Sequence, residues 1–200
     1  MAYFSNNNIY KPPIIPHINH ISEVFTMAKL RKGSAYNQVL KRPYTRKSKY
    51  RSKNFIRAAP HSKVVRYVMG SPNKTFEYTL TLVSKKELQI RHNALESARQ
   101  SCNKNLETKA GKSEYYLQLR KHPHHMLREN VLASGAGADR MSTGMAGSYG
   151  KVVGLAAQVK KGDPIFVCQV DKKNLATAKE SLIRAKNKLP SSYQIIETKN

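Results

Sequence analysis

The 200-residue chain has no tryptophan, only two cysteines and just 12 acidic side chains. Each shortage excludes something. Cys102 and Cys168 stand apart without CxxC spacing, which argues against a disulfide framework or a cysteine-built zinc site and fits a reducing cytosol. No apolar run approaches the roughly 20 residues of a membrane span. The first residues lack the charged start and long apolar centre of a secretory signal, and the arginines of a mitochondrial presequence. The shortage of acid says most, because 36 Lys and Arg then leave a formal net charge of +24. Such a charge favours a polyanionic partner and strains the isolated compact chain by self-repulsion. Nucleic acid is the natural counter-charge. An anionic membrane would ask for an amphipathic basic helix or a lipidation signal, and neither stands out. Two hundred residues bury a single core, so one domain with tails is expected.

Taken in order, the chain changes character twice. Residues 1–26 hold one Lys and one Glu among Asn, Pro, Ile and His, show no periodicity, and read as a flexible tail: a mis-called start or a lineage-specific extension. From Met27 to Phe76 there are fourteen Lys and Arg and no acid. Residues 27–62 read as a basic extension that binds RNA. Within it KRPYTRKSKYRSKNFIR interleaves cations with Tyr44, Tyr50 and Phe55, offering phosphate contacts plus rings that can stack on exposed bases. A merely solvated arm is the plain alternative.

Residues 63–200 carry the periodic segments. Val64–Met69 and Phe76–Val83 alternate as strands around Gly70-Ser71-Pro72 and predict a hairpin-like pair. Ser84-Lys85-Lys86-Glu87 reads as a capping box opening a helix, with Leu88, Leu95, Ala98, Cys102 and Leu106 on its apolar stripe until Gly111 stops it. On that stripe Cys102 is expected in the core. Arg91 and His92 fall near a break in this helix, facing either RNA or solvent. Glu114–Arg120 alternates as a strand. Lys160-Lys161-Gly162-Asp163 joins Val152–Val159 to Ile165–Val170 as a second strand pair. A second helix runs from Leu175 to Leu189, with Leu175, Ala178, Leu182, Ala185 and Leu189 on one face, and stops at Pro190. Tyr193–Ile196 adds a short strand. Two helices and six or seven strands predict an α+β two-layer sandwich of a mixed or antiparallel sheet.

Between the predicted strands Met126–Leu132 and Val152–Val159 hangs a glycine-rich loop, residues 133–150. Half of the ten glycines of the chain lie between Ser134 and Gly150, freeing the backbone for close approach to another molecule. It lacks the Lys-Ser/Thr ending of a P-loop and the strand-to-helix setting of a dinucleotide site. Asp139 with His124 or His125 could be drawn as an acid–base pair, but no nucleophile or second carboxylate accompanies them, so no enzyme is expected. His122, His124 and His125 have no Cys, Asp or Glu at ligand spacing. Neither metal nor cofactor is therefore expected. Neutral imidazoles stacking on RNA, with Arg128 holding a phosphate at the base of the loop, are the better reading.

AGADRMSTGMAGSYGKVVG resembles the GADR-x-x-TGM-x-x-x-(F/Y)-G signature of a universal large-subunit ribosomal protein family, number sixteen in the universal naming and ten-e in the archaeal and eukaryotic naming. PYTRKSKY, QIRHNALESAR, HPHHMLREN and KGDPIFV resemble archaeal members in the same order, so the likeness covers roughly Met27 to Glu197. Ala146 stands where the family usually has an Arg and Val131 where it has a basic residue, and near Gly135 relatives often carry an aromatic or Cys. Contacts made elsewhere by those missing cations are not carried over.

The resemblance implies an α/β-hammerhead and a structural role in the cytoplasmic ribosome, between the central protuberance and the peptidyl-transferase centre. It implies that Arg42, Tyr44, Arg46, Lys49, Arg51, Arg57 and Arg66 anchor large-subunit rRNA, with Arg91, His92, His124, His125 and Arg128 beside them. Gly135, Gly137, Asp139, Arg140, Met141, Thr143, Gly144, Met145 and Gly147 would face A-site tRNA. Neighbouring large-subunit proteins are further expected partners; a membrane or a second copy of the chain is not. The alternatives are a non-resident RNA-binding factor or an RNA-acting enzyme.

Overall fold

A computed structural model describes residues 60–130 and 149–200, together with positions 36, 42–45, 50 and 52. The chain divides into two compact units, Met1–Leu30 and Arg31–Asn200, and every described residue belongs to the second. The expectation for residues 1–26 lies outside the described residues.

Among the described residues eight strands form two antiparallel sheets: β1 (Val68–Gly70), β2 (Tyr78–Ser84), β3 (Leu88–Arg91), β4 (Tyr115–Leu119), β5 (His125–Glu129), β6 (Lys151–Val159), β7 (Pro164–Val170) and β8 (Tyr193–Lys199). Five make one sheet in the order β1-β4-β7-β2-β8, and three make the other in the order β3-β6-β5. Helix α1 (His92–Lys109) packs on α2 (Leu175–Lys186). Alternation explains the larger sheet: Leu80, Leu82, Leu117, Cys168 and Val170 face the helices and are fully buried. Leu95, Ala98, Cys102 and Leu106 of α1 and Ala178, Leu182 and Ala185 of α2 complete that core. Burying each large side chain contributes about 1.5–3 kcal/mol. Where the helices touch, the Asn105 amide donates to Ser181 Oγ at 2.7 Å, so these buried polar groups pair with each other. Cys102 and Cys168 are both free thiols in the core, and burial pushes both above the usual thiol range.

The α+β sandwich is as expected, but three local expectations are overturned. First, Val64–Met69 and Phe76–Val83 do not pair: β1 lies beside β4, and β2 lies between β7 and β8. Gly70 turns the chain at φ +82°, and the Ser71 N–H donates to the Tyr115 carbonyl at 2.9 Å, steering β1 onto β4. Second, Ser84-Lys85-Lys86-Glu87 caps nothing. Ser84 Oγ donates to the Lys86 carbonyl at 2.7 Å, and Leu88–Arg91 is a strand paired with β6. Leu88, Gln89 and Ile90 are all buried, so the run has no period to distinguish strand from helix. Third, β6 and β7 do not pair. Lys160–Asp163 carries the chain from the small sheet to the large one, with Gly162 at φ +85° and Asp163 Oδ2 accepting from Lys160 N at 3.0 Å. The strands flanking the glycine-rich loop do pair, β5 on β6 from His125↔Ala156 to Glu129↔Lys151.

Candidate nucleic-acid interface

The paired ends of β5 and β6 bring the limbs of the glycine-rich loop together, and Arg128 ties them. Its Nη1 donates to the Tyr149 carbonyl at 2.7 Å, across the mouth of the loop. The same guanidinium covers the Tyr44 ring, its carbon 4.1 Å from the centroid. Tyr44 belongs to the basic extension, and its backbone is fastened to β5 twice. Met126 N donates to the Tyr44 carbonyl at 2.8 Å, and Tyr44 N donates to His125 Nδ1 at 2.9 Å. His125 is buried, and burial first and Arg128 second hold it below the usual histidine range, which keeps Nδ1 free to accept. Extension, loop base and strand β5 thus meet at one clamp.

A second fastening holds the end of the extension to α1. Lys63 N lies 3.4 Å from His92 Nδ1 and Val65 N 3.4 Å from Glu96 Oε2, each as donor, while Val64 is buried in the core. His92 is itself buried, and burial pulls its pKa down to about 4, with Arg91 and Lys63 adding to the shift. Glu96 is gripped by Arg99 through Nε at 2.8 Å and Nη2 at 2.5 Å, and Arg99 Nη1 reaches Met69 Sδ at 3.2 Å. The Arg99 hydrogen bond is the main reason the Glu96 carboxyl lies below the usual range. Neither this pair nor the backbone contacts of His92 emerged from the sequence reading. The Glu-x-x-Arg spacing beside buried Leu95 and Ala98 was the available signal.

The remaining residues separate as follows. Arg42 and Arg66 are exposed; Arg91 ends β3. His124 is exposed and forms a ladder of rings with His122, 4.4 Å between centroids, and Tyr67, 5.2 Å beyond and near-parallel to His122. Burial and the neighbouring His124 hold His122 below its ordinary pKa. Arg46, Lys49, Arg51 and Arg57 lie outside the described residues, as do Gly135, Gly137, Asp139, Arg140, Met141, Thr143, Gly144, Met145 and Gly147.

Acids on this scaffold are largely occupied by local pairs: Glu114 with Lys74 and Lys173, Asp163 with Lys121, Glu180 with Lys109 and Arg184, Glu197 with Lys179. Among the described residues no group of three or more His, Cys, Asp and Glu could hold a metal ion, and no helix is long and apolar enough to cross a membrane.

Fold and site together define a cationic α+β scaffold protein in which a basic arm and a glycine-rich loop meet at one clamp. Comparison with known proteins agrees. A family model described as ribosomal protein L16p/L10e matches residues 40–196. The large ribosomal subunit protein uL16 of Methanococcus maripaludis is 46% identical over 170 residues, 85% of this chain and 95% of its own length. The protein of that name from Archaeoglobus fulgidus is 46% identical over 160 residues, covering 80% and 88%, and that from Picrophilus torridus 42% over 150, covering 75% and 85%. The chain belongs to the L16p/L10e family of large-subunit ribosomal proteins. Its relatives are named as ribosomal proteins, not as enzymes.

Proposed function

We propose that this protein anchors itself to large-subunit rRNA through its basic extension and holds the glycine-rich loop toward A-site tRNA. The clamp carries this reading: Arg128 joins Tyr44 of the extension to Tyr149 at the loop's return, so ordering one orders the other. Arg42, Arg46, Lys49, Arg51, Arg57 and Arg66 neutralise phosphates, and exposed His124 stacks on an unpaired base. Arg91, at the end of β3, adds a further cation for rRNA. Tyr44, His92, His125 and Arg128 act one step back, positioning the RNA-facing groups. Gly135 to Gly147, with Arg140 as its cation, forms the tRNA-facing tip. The protein supplies counter-charge and geometry, while RNA performs the chemistry.

An RNA-acting enzyme is disfavoured by one observation. His125, one candidate base for Asp139, already spends Nδ1 on the Tyr44 N–H. The deciding experiment is sedimentation of a native lysate at rising salt, because loose electrostatic binding falls steeply with salt. Retention at one copy per large subunit after a high-salt wash is expected; early loss points to a visiting factor and overturns residence. In washed subunits Arg140→Ala is expected to weaken A-site tRNA binding and leave subunit retention unchanged. Unaltered tRNA affinity would remove the tip from the reading.

A further inference from the structure

The helices cover one face of the five-stranded sheet, and alternate residues point the other way. Strand register joins those outward residues into rows that cross the whole sheet. One row runs Val68, Gln118, Val167, Thr81, Ile196. The row beside it runs from Gly70 on β1 through Tyr116 to Thr198 on β8. None of these ten positions is charged, in a chain of which 24% is charged, and none is buried. Val68 and Ile196, at the two ends of the first row, are 44% and 42% exposed. Charge appears only at the rims: beside the first row Arg120 Nη1 donates to Gln118 Oε1 at 3.2 Å, and beyond the second row Glu114 and Asp171 hold Lys74, with Lys173 also on Glu114. Along β7 the register shifts opposite Leu82 and Val83, and Ile165 and Phe166 are both fully buried in the core, so the open face ends there.

The helix side is the reverse, with Lys104, Lys109, Arg184, Lys186 and Lys188 all exposed. Charge is thus sorted by face. Phosphate contacts need cations, and the two central rows of the sheet face offer none. Threonine, amide and β-branched side chains cost far less to take out of water than charged ones, and the cores of protein–protein interfaces are likewise depleted of charge. We infer that the uncharged sheet face docks another protein of the large subunit, through a surface that is itself uncharged and partly apolar. The inference rests on residence in that subunit.

A benzoylphenylalanine photo-crosslinker in place of Thr81 tests it in purified large subunits, with a second version carrying the crosslinker in place of Arg42 as reference. The expected product at position 81 survives ribonuclease and contains one and the same large-subunit protein in every preparation. Adding Val167→Lys is expected to lower its yield roughly tenfold, because a lysine must then be desolvated. Crosslinks from position 81 to rRNA, or none while the Arg42 reference crosslinks, overturn the inference. An equal yield with and without Val167→Lys also overturns it. Failure of residence is distinguishable, since both versions are then missing from the subunits and both readings fall together.

Discussion

The guanidinium of Arg128 lies over the ring of Tyr44 in the basic extension, its carbon 4.1 Å from the ring centroid. A cation–π contact of this kind is worth about 0.5–1 kcal/mol when exposed and about 2 when desolvated. Tyr44 is half-buried, so a double-mutant cycle of Tyr44→Leu and Arg128→Met is expected to give a coupling energy of about 1 kcal/mol by urea unfolding. Faster proteolysis within residues 42–52 is expected in either single variant. Additive stabilities would mean that the ring and the guanidinium do not hold each other.

Acidification should loosen the scaffold through its buried histidines. His92 is pulled from 6.5 to about 4, by burial first, and His125 shifts in the same direction. The unfolded chain takes up these protons near pH 6.5 while the folded chain resists. The stabilisation is therefore complete above pH 6.5 and fades as the pH falls toward 4, by up to about 1.4 kcal/mol per unit for each group. Glu96, shifted below its usual 4.5, contributes above that pH and is lost only beneath it, so the window from pH 7 to 5 isolates the histidines. Urea midpoints over that window are expected to fall less in His92→Gln than in the parent chain. Parallel declines would clear His92.

Gly70 should be the least replaceable described glycine. Its φ of +82° disfavours any side chain, and an added Cβ would run into the Tyr115 carbonyl that also accepts from Ser71 N. Gly111 and Gly162 share the positive φ but have open space around the same position. Gly162→Ala and Gly111→Ala should each cost on the order of 1 kcal/mol, the conformational term alone. Gly70→Ala should cost roughly 3 kcal/mol or more because β1 must also move off β4. Thermal unfolding of the three variants ranks them, and equal midpoints would refute the steric argument.

That turn also marks how far sequence reasoning reaches. The stripe of α2, the alternation of β4 and the strands flanking the glycine-rich loop were legible, because each is a periodic signal within a dozen residues. Pairing was not. Gly70-Ser71-Pro72 reads as a hairpin turn and Lys160–Asp163 as another, yet both pass the chain to a partner far away in sequence, and local chemistry does not encode which strand waits there. Leu88–Arg91 failed for a different reason, since a run whose first three residues are all buried carries no period. At the site, Arg128 stood out at the base of the loop, but that its ring partner is Tyr44 and that His125 serves Tyr44 N are facts of tertiary proximity. Residues 46–49 and 131–148, where most of the remaining site expectations fall, lie outside the described residues.

Glu96 and Arg99 give the sharpest test of how the extension is held. Both are 9% exposed, and Glu96 accepts from Arg99, from Gln100 Nε2 at 2.9 Å and from Val65 N at 3.4 Å. Removing one member of a buried pair strands the other's charge and typically costs about 3–5 kcal/mol, whereas replacing both by apolar groups can cost far less. Glu96→Gln keeps the shape and loses the charge, so it should destabilise nearly as much as Glu96→Ala, while Glu96→Leu with Arg99→Leu should recover most of the loss. Because Val65 N loses a charged acceptor, its amide should exchange faster than that of Leu82 in the core. If Glu96→Gln unfolds with the parent chain and Val65 exchange is unchanged, the pair is incidental and residues 62–66 are held by Val64 burial and the Lys63–His92 contact instead.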